Sequence, residues 1–386
     1  MRPALRCNPI LPALLLGASL LGCAHSEVAP SEQPSYPPFG AGSWPRQLTY
    51  NVFDDRQPSW LPDGSGILYS TQRANQLSDN DRCIALLPRD GGSDRWRKCE
   101  TDARHAVDSM DVWEWPSAGP DGRAYFVRTT AWNRALKYGY PRIQLARDFD
   151  FEHGTTLRTL PFYTTSGRQE LATWTPRWLT PDRIAYLGVL EFWEGETFAP
   201  DTFFTGEEVM LLQLAGDSAA SWSVVPGTDY ASSVAADPAT DPDAIYYTLG
   251  GDSIVYRRHL TSGVVDTVHN FGAGRIVRDV SVRGTSLAAI VGDSVVFQDE
   301  AAHGWVQRDE GGDIAVVDLT TGTEVTYSRA DIWLFRHPEI SPDGKRLVVE
   351  VQPFAFPVLG PAKQYNAVNH RADLWLFSLE EPPLHP

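Results

Sequence analysis

The sequence predicts an all-β fold made of repeated four-stranded units, and three observations support this. A short phrase, Pro-x-Trp-x-Pro-Asp-Gly, occurs at residues 58–64 and returns as a close variant at residues 338–344. A run of apolar and aromatic residues follows each copy, as expected for a strand after a turn. Helix-forming stretches are sparse, whereas the chain is rich in the glycine, proline and aromatic residues of short strands and turns. A period near sixty residues therefore indicates a repeat architecture.

The phrase has the chemistry of a tight turn. Proline presets φ, aspartate bonds its own backbone, and glycine accepts a positive φ. Its Pro-Asp step recurs at Asp63, Asp121 and Asp182, at intervals of 58 and 61 residues, and again 61 residues later at Asp243. The next copy, at Asp343, lies 100 residues further on, and residues 280–285 supply a degenerate turn in that gap. We therefore count six units.

Each unit is expected to contain four antiparallel strands, one before the turn and three after it. Second strands are predicted at residues 67–70, 124–127, 184–187, 245–248, 287–291 and 347–351, and third strands at 83–87, 143–146, 209–214, 254–257, 314–319 and 374–377. Fourth strands are predicted as at residues 156–160 and 222–225. Units of this period and strand count are typical of propeller blades. We predict a six-bladed β-propeller over residues 44–386, with five or seven blades as alternatives because units four and five match poorly.

The phrase resembles the WD40-like, PD40-type repeat of TolB-like propellers, and the resemblance covers residues 44–386. Trp60 with the turn at residues 62–64 matches closely, as do the turns at residues 120–122 and 342–344. The third unit keeps Trp178 and Asp182 but has Arg183 where glycine belongs. The resemblance implies a propeller that contacts other envelope proteins.

The last unit runs out after its third strand, at residues 374–377. Residues 46–49, Arg-Gln-Leu-Thr, resemble the Arg-x-Leu-Thr fourth strand of TolB-type blades. We therefore expect the N-terminal strand to complete the last blade, which leaves the ring no open edge. This expectation places Leu48 and Trp375 in the same sheet.

The N-terminus predicts export and a lipid anchor. Residues 1–22 combine Arg2 and Arg6 with an apolar run that is too short for a stable transmembrane helix. The run ends in Leu-Leu-Gly-Cys, which resembles a bacterial lipobox with Cys23 as the lipid attachment site; an ordinary secretory signal is the alternative. Ala24 after the cysteine indicates the outer membrane. The proline-rich residues 23–43 read as a disordered tether, and residues 44–386 as a single domain. This anchor departs from the soluble periplasmic subunit usual for TolB-like proteins.

Composition limits the partners and suggests one disulfide. The net charge of −16 disfavours nucleic acid as a partner, because phosphate binding needs clustered lysine and arginine. Cys83 and Cys99 lie on two predicted neighbouring strands, and export would place them in an oxidising compartment. We expect them to form a disulfide; two separate thiols are the alternative. We also expect a monomer.

Three insertions between second and third strands are the candidate binding loops, and all should emerge on one face of the ring. Their aromatic content suggests a recognition surface for a protein or glycan, whereas the alternative is that the rings pack on one another. The candidate residues are Trp132, Tyr138 and Tyr140 in unit two; Phe192, Trp193, Phe198, Phe203 and Phe204 in unit three; and Phe354, Phe356, Tyr365 and His370 in unit six.

Signatures of catalysis are absent from the sequence. Three Gly-Asp-Ser triplets fall in predicted hairpin turns, and no Gly-x-Ser-x-Gly elbow occurs. His105, His337 and His370 could face a channel beside Asp108 or Asp373, although each is more simply a surface or turn histidine. We expect no metal and no cofactor. The sequence thus predicts a non-catalytic envelope module that binds a protein or glycan. The alternative is a propeller hydrolase or lyase that acts on a glycan or lactone at the channel mouth.

Overall fold

A computed structural model describes residues 44–50, 54–72, 82–92, 95–98, 112–133, 138–149, 154–156, 162–163, 168–192, 204–293, 296–299, 304–307, 312–327, 333–353 and 372–380. All regular secondary structure in these ranges is β-strand. The same ranges contain no helix long and apolar enough to span a membrane.

The first three blades follow the N-terminal strand β1 (Arg46–Gln47) in chain order. Blade 1 contains β2 (Asp55–Trp60), β3 (Gly66–Gln72), β4 (Arg82–Pro88) and β5 (Arg95–Lys98). Blade 2 contains β6 (Val112–Ala118), β7 (Ala124–Asn133), β8 (Tyr138–Ala146) and β9 (Gly154–Thr156). A short strand, β10 (Phe162–Tyr163), pairs with the start of blade 3, which contains β11 (Arg168–Thr180), β12 (Arg183–Phe192), β13 (Phe204–Ala215) and β14 (Ser218–Val224).

The other three blades complete the ring. Blade 4 contains β15 (Ala231–Asp237), β16 (Asp241–Leu249), β17 (Ile254–His259) and β18 (Val265–Asn270). Blade 5 contains β19 (Arg275–Arg283), β20 (Ser286–Asp293), β23 (Asp313–Asp318) and β24 (Glu324–Tyr327), with an inserted hairpin of β21 (Val296–Asp299) and β22 (Gly304–Gln307). Blade 6 contains β25 (Trp333–Ile340), β26 (Arg346–Pro353), β27 (Asp373–Ser378) and β1. The predicted six-bladed propeller is confirmed, and its first strands contact one another in sequence around a central channel.

The N-terminal strand closes the ring as predicted. β1 pairs with β27 in antiparallel register, with Arg46 opposite Leu376 and Gln47 opposite Trp375. The Leu48 amide continues the ladder by donating to the Leu374 carbonyl at 2.7 Å. The last blade therefore has no open edge at this side.

The tryptophan of the repeat phrase fastens one blade to the preceding one. The Trp60 indole donates to the Glu339 carbonyl of blade 6 at 2.9 Å, and the Trp178 indole donates to the Ser117 carbonyl of blade 2 at 3.0 Å. Both rings are buried between blades, so each one contributes apolar area as well as a hydrogen bond. The phrase thus builds the contacts between blades as well as the turns.

Two features differ from the expectation. The turn of unit four was expected at Asp243, but β15 ends at Asp237 and β16 begins at Asp241, so Asp243 lies within a strand. Asp237 itself caps the turn by accepting hydrogen bonds from the Ala239 amide and the Thr240 hydroxyl. The turn therefore uses Asp237 and Pro238 rather than Pro242 and Asp243. The hairpin inserted in blade 5 was not predicted, since no copy of the phrase marks it.

The core lies between neighbouring blades. Each apolar cluster combines the faces of two blades, as where Ile290 and Ile314 of blade 5 pack with Phe335 and Val349 of blade 6. Because both faces of a blade are covered, its inner strands read as nearly continuous apolar runs rather than alternating ones.

The connections divide the ring into an upper and a lower face, which we define by strand order. Turns between first and second strands have two to five residues and form the lower face. Connections between second and third strands emerge on the upper face. The three candidate loops, at residues 134–137, 193–203 and 354–372, all join second and third strands. The strand ends that flank these loops therefore lie on one face, while the placement of the loops themselves stays a prediction because they lie almost entirely outside the described residues.

Candidate functional site

The predicted binding residues lie largely outside the described residues. Trp132, Tyr138, Tyr140, Phe192 and Phe204 have described backbone in β7, β8, β12 and β13, where Phe192 pairs in register with Phe204. The remaining candidates are outside the described residues: Cys23, Cys99, Trp193, Phe198, Phe203, Phe354, Phe356, Tyr365 and His370. A recognition surface on these loops remains a prediction.

Cys83 is buried on β4 and is engaged in a disulfide. Its neighbour Ile84 pairs with Lys98 on the antiparallel strand β5. The partner cysteine lies outside the described residues, so the Cys83–Cys99 pair stays a prediction.

A β-bulge interrupts the first strand of four blades at the same position of the repeat. The pairing register skips between Arg56 and Ser59 and at the matching places in blades 2, 3 and 6. In each case one residue adopts a left-handed backbone and a proline follows it: Gln57 (φ 57°), Trp115 (φ 53°), Thr175 (φ 49°) and His337 (φ 46°). Bulges re-aim side chains and concentrate near functional sites. Left-handed backbone at non-glycine residues also points to a functional constraint.

The bulges shape a cavity at the upper mouth of the channel. This upper cavity has a volume of about 520 Å³, and three of the four bulge residues, Trp115, Thr175 and His337, line it. The Trp115 ring meets the His337 ring edge-on, with 4.7 Å between centroids. The rest of the lining includes Trp174, Glu207, Gly250, Gly251, Arg278 and Asp279.

Seven charged side chains form a chain of alternating sign beside the upper cavity, and we call it the charge chain. In order, its members are Glu114 of blade 2, Arg82 of blade 1, Asp54 immediately before β2, Arg56 of blade 1, Glu350 and His337 of blade 6, and Asp279 of blade 5. Successive ionic atoms lie 3.0, 2.7, 2.8, 3.7, 2.7 and 3.8 Å apart along it. Every cation thus has a carboxylate on both sides.

Glu350 and His337 are the most strongly coupled pair of the charge chain. Glu350 is fully buried, and its Oε2 lies 2.7 Å from His337 Nδ1 and accepts from the Gln57 amide at 3.2 Å. Burial by itself raises the pKa of Glu350, but the charge and hydrogen bond of His337, with Arg56, outweigh it and lower the pKa to about 2. Burial lowers the pKa of His337, but Glu350 and Asp279 outweigh it and raise that pKa above its usual range. Each group of the pair therefore favours the ionised form of the other.

Sequence reasoning located one of these residues and missed the others. His337 does face the channel, but beside Glu350 and Asp279 rather than the expected Asp373, which lies at the ring closure and accepts from Gln47 and Thr49. His105, Asp108 and His370 are outside the described residues. A signal for Glu350 was present: it is a single acidic residue inside the apolar strand β26.

The described residues contain no group of three or more His, Cys, Asp or Glu side chains arranged to hold a metal ion. The carboxylates of the charge chain face arginine or histidine. Its arrangement can orient side chains and present fixed charges to a ligand in the upper cavity.

Comparisons with known proteins assign no family to this chain. No protein-family model and no curated protein sequence matches the chain. Among solved structures, the chain is similar to an oligogalacturonate lyase in complex with manganese, at 12% identity and a TM-score of 0.46, over 86% of this chain and 92% of that one. It is also similar to TolB from Acinetobacter baumannii, at 12% identity and a TM-score of 0.45, over 86% of this chain and 64% of that one. A puromycin hydrolase is similar at 12% identity and a TM-score of 0.46, over 88% of this chain and 48% of that one. These likenesses carry no argument about activity.

Proposed function

We propose that the protein is a lipid-anchored binding module of the cell envelope, and that its site is the upper cavity. The observation that carries this proposal is the lining of that cavity: two tryptophans, Trp115 and Trp174, lie beside fixed charges of both signs. A cavity of this kind, apolar with a few placed polar groups, is typical of a ligand site. The ligand class that fits is a short polar segment of a glycan or a polypeptide, with an apolar face for the indoles and hydroxyl or amide groups for the charges.

The rigidity of the site favours binding. The charge chain holds His337 through Glu350, and Trp115 packs on the His337 ring. A lining whose rotamers are already held in place loses little conformational entropy when a ligand arrives. The raised pKa of His337 also suits a fixed cation better than a general base at neutral pH.

The direction of β1 favours an anchor on the lower face of the ring, opposite the upper cavity. β1 runs antiparallel to β27, so the chain enters blade 6 from the lower face at Trp44. A tether at residues 23–43 would therefore attach opposite the upper cavity. Mass spectrometry of the membrane-extracted protein tests the anchor: we expect lipid on Cys23 and loss of membrane association in Cys23→Ser. An unmodified, membrane-free wild type would contradict this part of the proposal.

Binding is tested by calorimetry of the purified protein against defined oligosaccharides and peptides. We expect at least one class to bind and Trp174→Ala to weaken it about tenfold or more. Trp222→Ala, which removes a tryptophan from the outer strand of blade 3, is the matched control and should leave binding unchanged. Equal losses in both variants, or no binding in either class, would overturn the proposal.

An enzyme is the second candidate, and the His337–Glu350 pair is the observation that favours it. A histidine held by a buried carboxylate beside a cavity is an arrangement that acid–base catalysis uses. Incubation with the bound glycan distinguishes the two functions by the mass of the products. Turnover that disappears in His337→Asn while binding persists would establish the hydrolase or lyase, and an intact glycan would support the binding module.

A further inference from the structure

The channel has a second cavity, at its lower mouth, which the proposed function does not use. This lower cavity has a volume of about 280 Å³. Prolines from the first turns of four blades line it, together with Trp60 and Trp178: Pro62, Pro120, Pro238 and Pro342. Three charged side chains also reach it, Arg177, Arg283 and Glu339. The cavity thus combines an apolar rim with a small number of charged groups.

Arg177 and Glu339 meet across the channel. They belong to blades 3 and 6, which are separated by two blades on either side and so stand opposite each other in the ring. Their closest atoms, Arg177 Nη2 and Glu339 Oε2, are 3.5 Å apart, at the outer limit of a hydrogen bond. The Arg177 Nε makes a similarly long contact, 3.4 Å, with the Val234 carbonyl. The guanidinium is therefore loosely held beside an open cavity.

Arg283 supplies a second cation on the wall of the lower cavity. Its Nη1 donates to Asp237 at 3.0 Å, whereas its buried Nε has no hydrogen-bond partner within the described part of the chain. Arg283 thus adds positive charge to the wall of the lower cavity.

Glu339 is a poor counter-ion for these two arginines. Burial raises the pKa of its carboxyl, and although Arg177 and Arg283 act in the opposite direction, the raised pKa prevails. Its carboxylate also stays 3.5 Å from Arg177, beyond the usual length of a charge-assisted hydrogen bond. A better placed anion would therefore displace it from Arg177.

We propose that the lower cavity is a second binding site, separate from the upper one, for a small organic carboxylate with a short apolar body. The ligand carboxylate takes the place of Glu339 at the Arg177 fork, which matches the planar geometry of a carboxylate. The Arg283 guanidinium lies on the same cavity wall. The apolar body packs on the proline rim. The cavity volume lies just below the usual range for ligand pockets, which restricts the site to small molecules.

Titration calorimetry of the purified protein with butyrate and benzoate tests this proposal. Both carboxylates should bind, and the neutral isosteres butyramide and benzamide should bind about tenfold more weakly or not at all. Glu339→Gln should tighten carboxylate binding about threefold, since it removes the competing carboxylate. A purely structural role for Glu339 would instead predict weaker binding in this variant, and that result would overturn the proposal.

Arg177→Met alone leaves Glu339 buried without its partner, so the variant Arg177→Met/Glu339→Gln serves to separate binding from folding. The double variant should fold and lose carboxylate binding by about tenfold or more. Arg257→Met, which changes a partly exposed arginine on β17 that pairs with Asp266 at 2.9 Å, is the matched control and should bind as the wild type does. Unchanged binding in the double variant, or binding of inorganic phosphate where neither carboxylate binds, would contradict the assignment.

Discussion

Replacing Glu350 by glutamine should destabilise the protein by about 3 kcal/mol at pH 7. Glutamine keeps the shape of the side chain but removes the charge that pairs with His337 at 2.7 Å and faces Arg56 at 3.7 Å. The side chain is fully buried, so solvent does not weaken these interactions. Two cations of the charge chain would lose their shared carboxylate.

The magnitude follows from the pKa of Glu350, which the folded protein lowers from 4.5 to about 2. Each pH unit of that difference corresponds to about 1.4 kcal/mol of stability. Since the folded pKa is depressed, the stabilisation is present in full above pH 4.5 and is lost as the pH falls towards 2. At pH 3 only about 1 kcal/mol of it remains.

Urea denaturation followed by tryptophan fluorescence, at pH 7 and at pH 3, measures the difference between the wild type and Glu350→Gln. The matched control is Glu324→Gln, which breaks a partly exposed pair with Arg275 and should cost less than about 1 kcal/mol. A difference between wild type and Glu350→Gln that is the same at both pH values would refute the electrostatic explanation. So would a cost no larger than that of the control.

Three further variants test the contacts between blades and the ring closure. Trp178→Phe should lose about 1 kcal/mol of unfolding free energy, because Ser117 keeps a buried carbonyl without its indole donor. Gly119→Ala should cost about 1–3 kcal/mol, since the added methyl carbon would lie 2.4 Å from the Trp178 ring. Burial and the nearby Asp55 raise the pKa of Asp373, so wild-type stability falls as the pH rises through that value. Asp373→Asn should therefore gain stability relative to wild type as the pH rises above about 4, the ordinary pKa of an aspartate.

Thermal and urea unfolding of purified variants measures all three. Trp222→Phe, on the outer strand of blade 3, is the control for Trp178→Phe. Gly250→Ala, whose added methyl would lie at an ordinary contact distance of 3.5 Å from the Tyr230 carbonyl oxygen, is the control for Gly119→Ala. Controls that cost as much as the test variants would contradict the interblade account. A pH-independent effect of Asp373→Asn would contradict the account of the closure.

The fold could be predicted from sequence because its determinants are local. Each turn is specified by a few consecutive residues, such as Pro62, Asp63 and Gly64, and the period then sets the number of blades. The ring closure was also predictable, since Leu48 and Thr49 carry the pattern of a missing fourth strand. The inserted hairpin of blade 5 carries no such local pattern.

The upper cavity could not be predicted because its residues come from different blades. Trp115, Asp279 and His337 are far apart in the sequence and meet only when the ring closes. One local signal was available: a proline follows each left-handed bulge residue, as Pro116 follows Trp115. The proline therefore marks the residue before it as a bulge residue, in addition to the turn that the phrase specifies.

Site-specific photo-crosslinking in the intact cell envelope tests most directly the claim that the protein binds its partner at the upper mouth. Tyr230 lies on the upper face of blade 4 and is 66% exposed, whereas Val264 lies on the lower face of the same blade and is 52% exposed. With benzoylphenylalanine at each position in turn, we expect a discrete crosslinked macromolecule from position 230 that disappears in Trp174→Ala, and none from position 264. Crosslinks from position 264 alone, or crosslinks at 230 that survive Trp174→Ala unchanged, would contradict it.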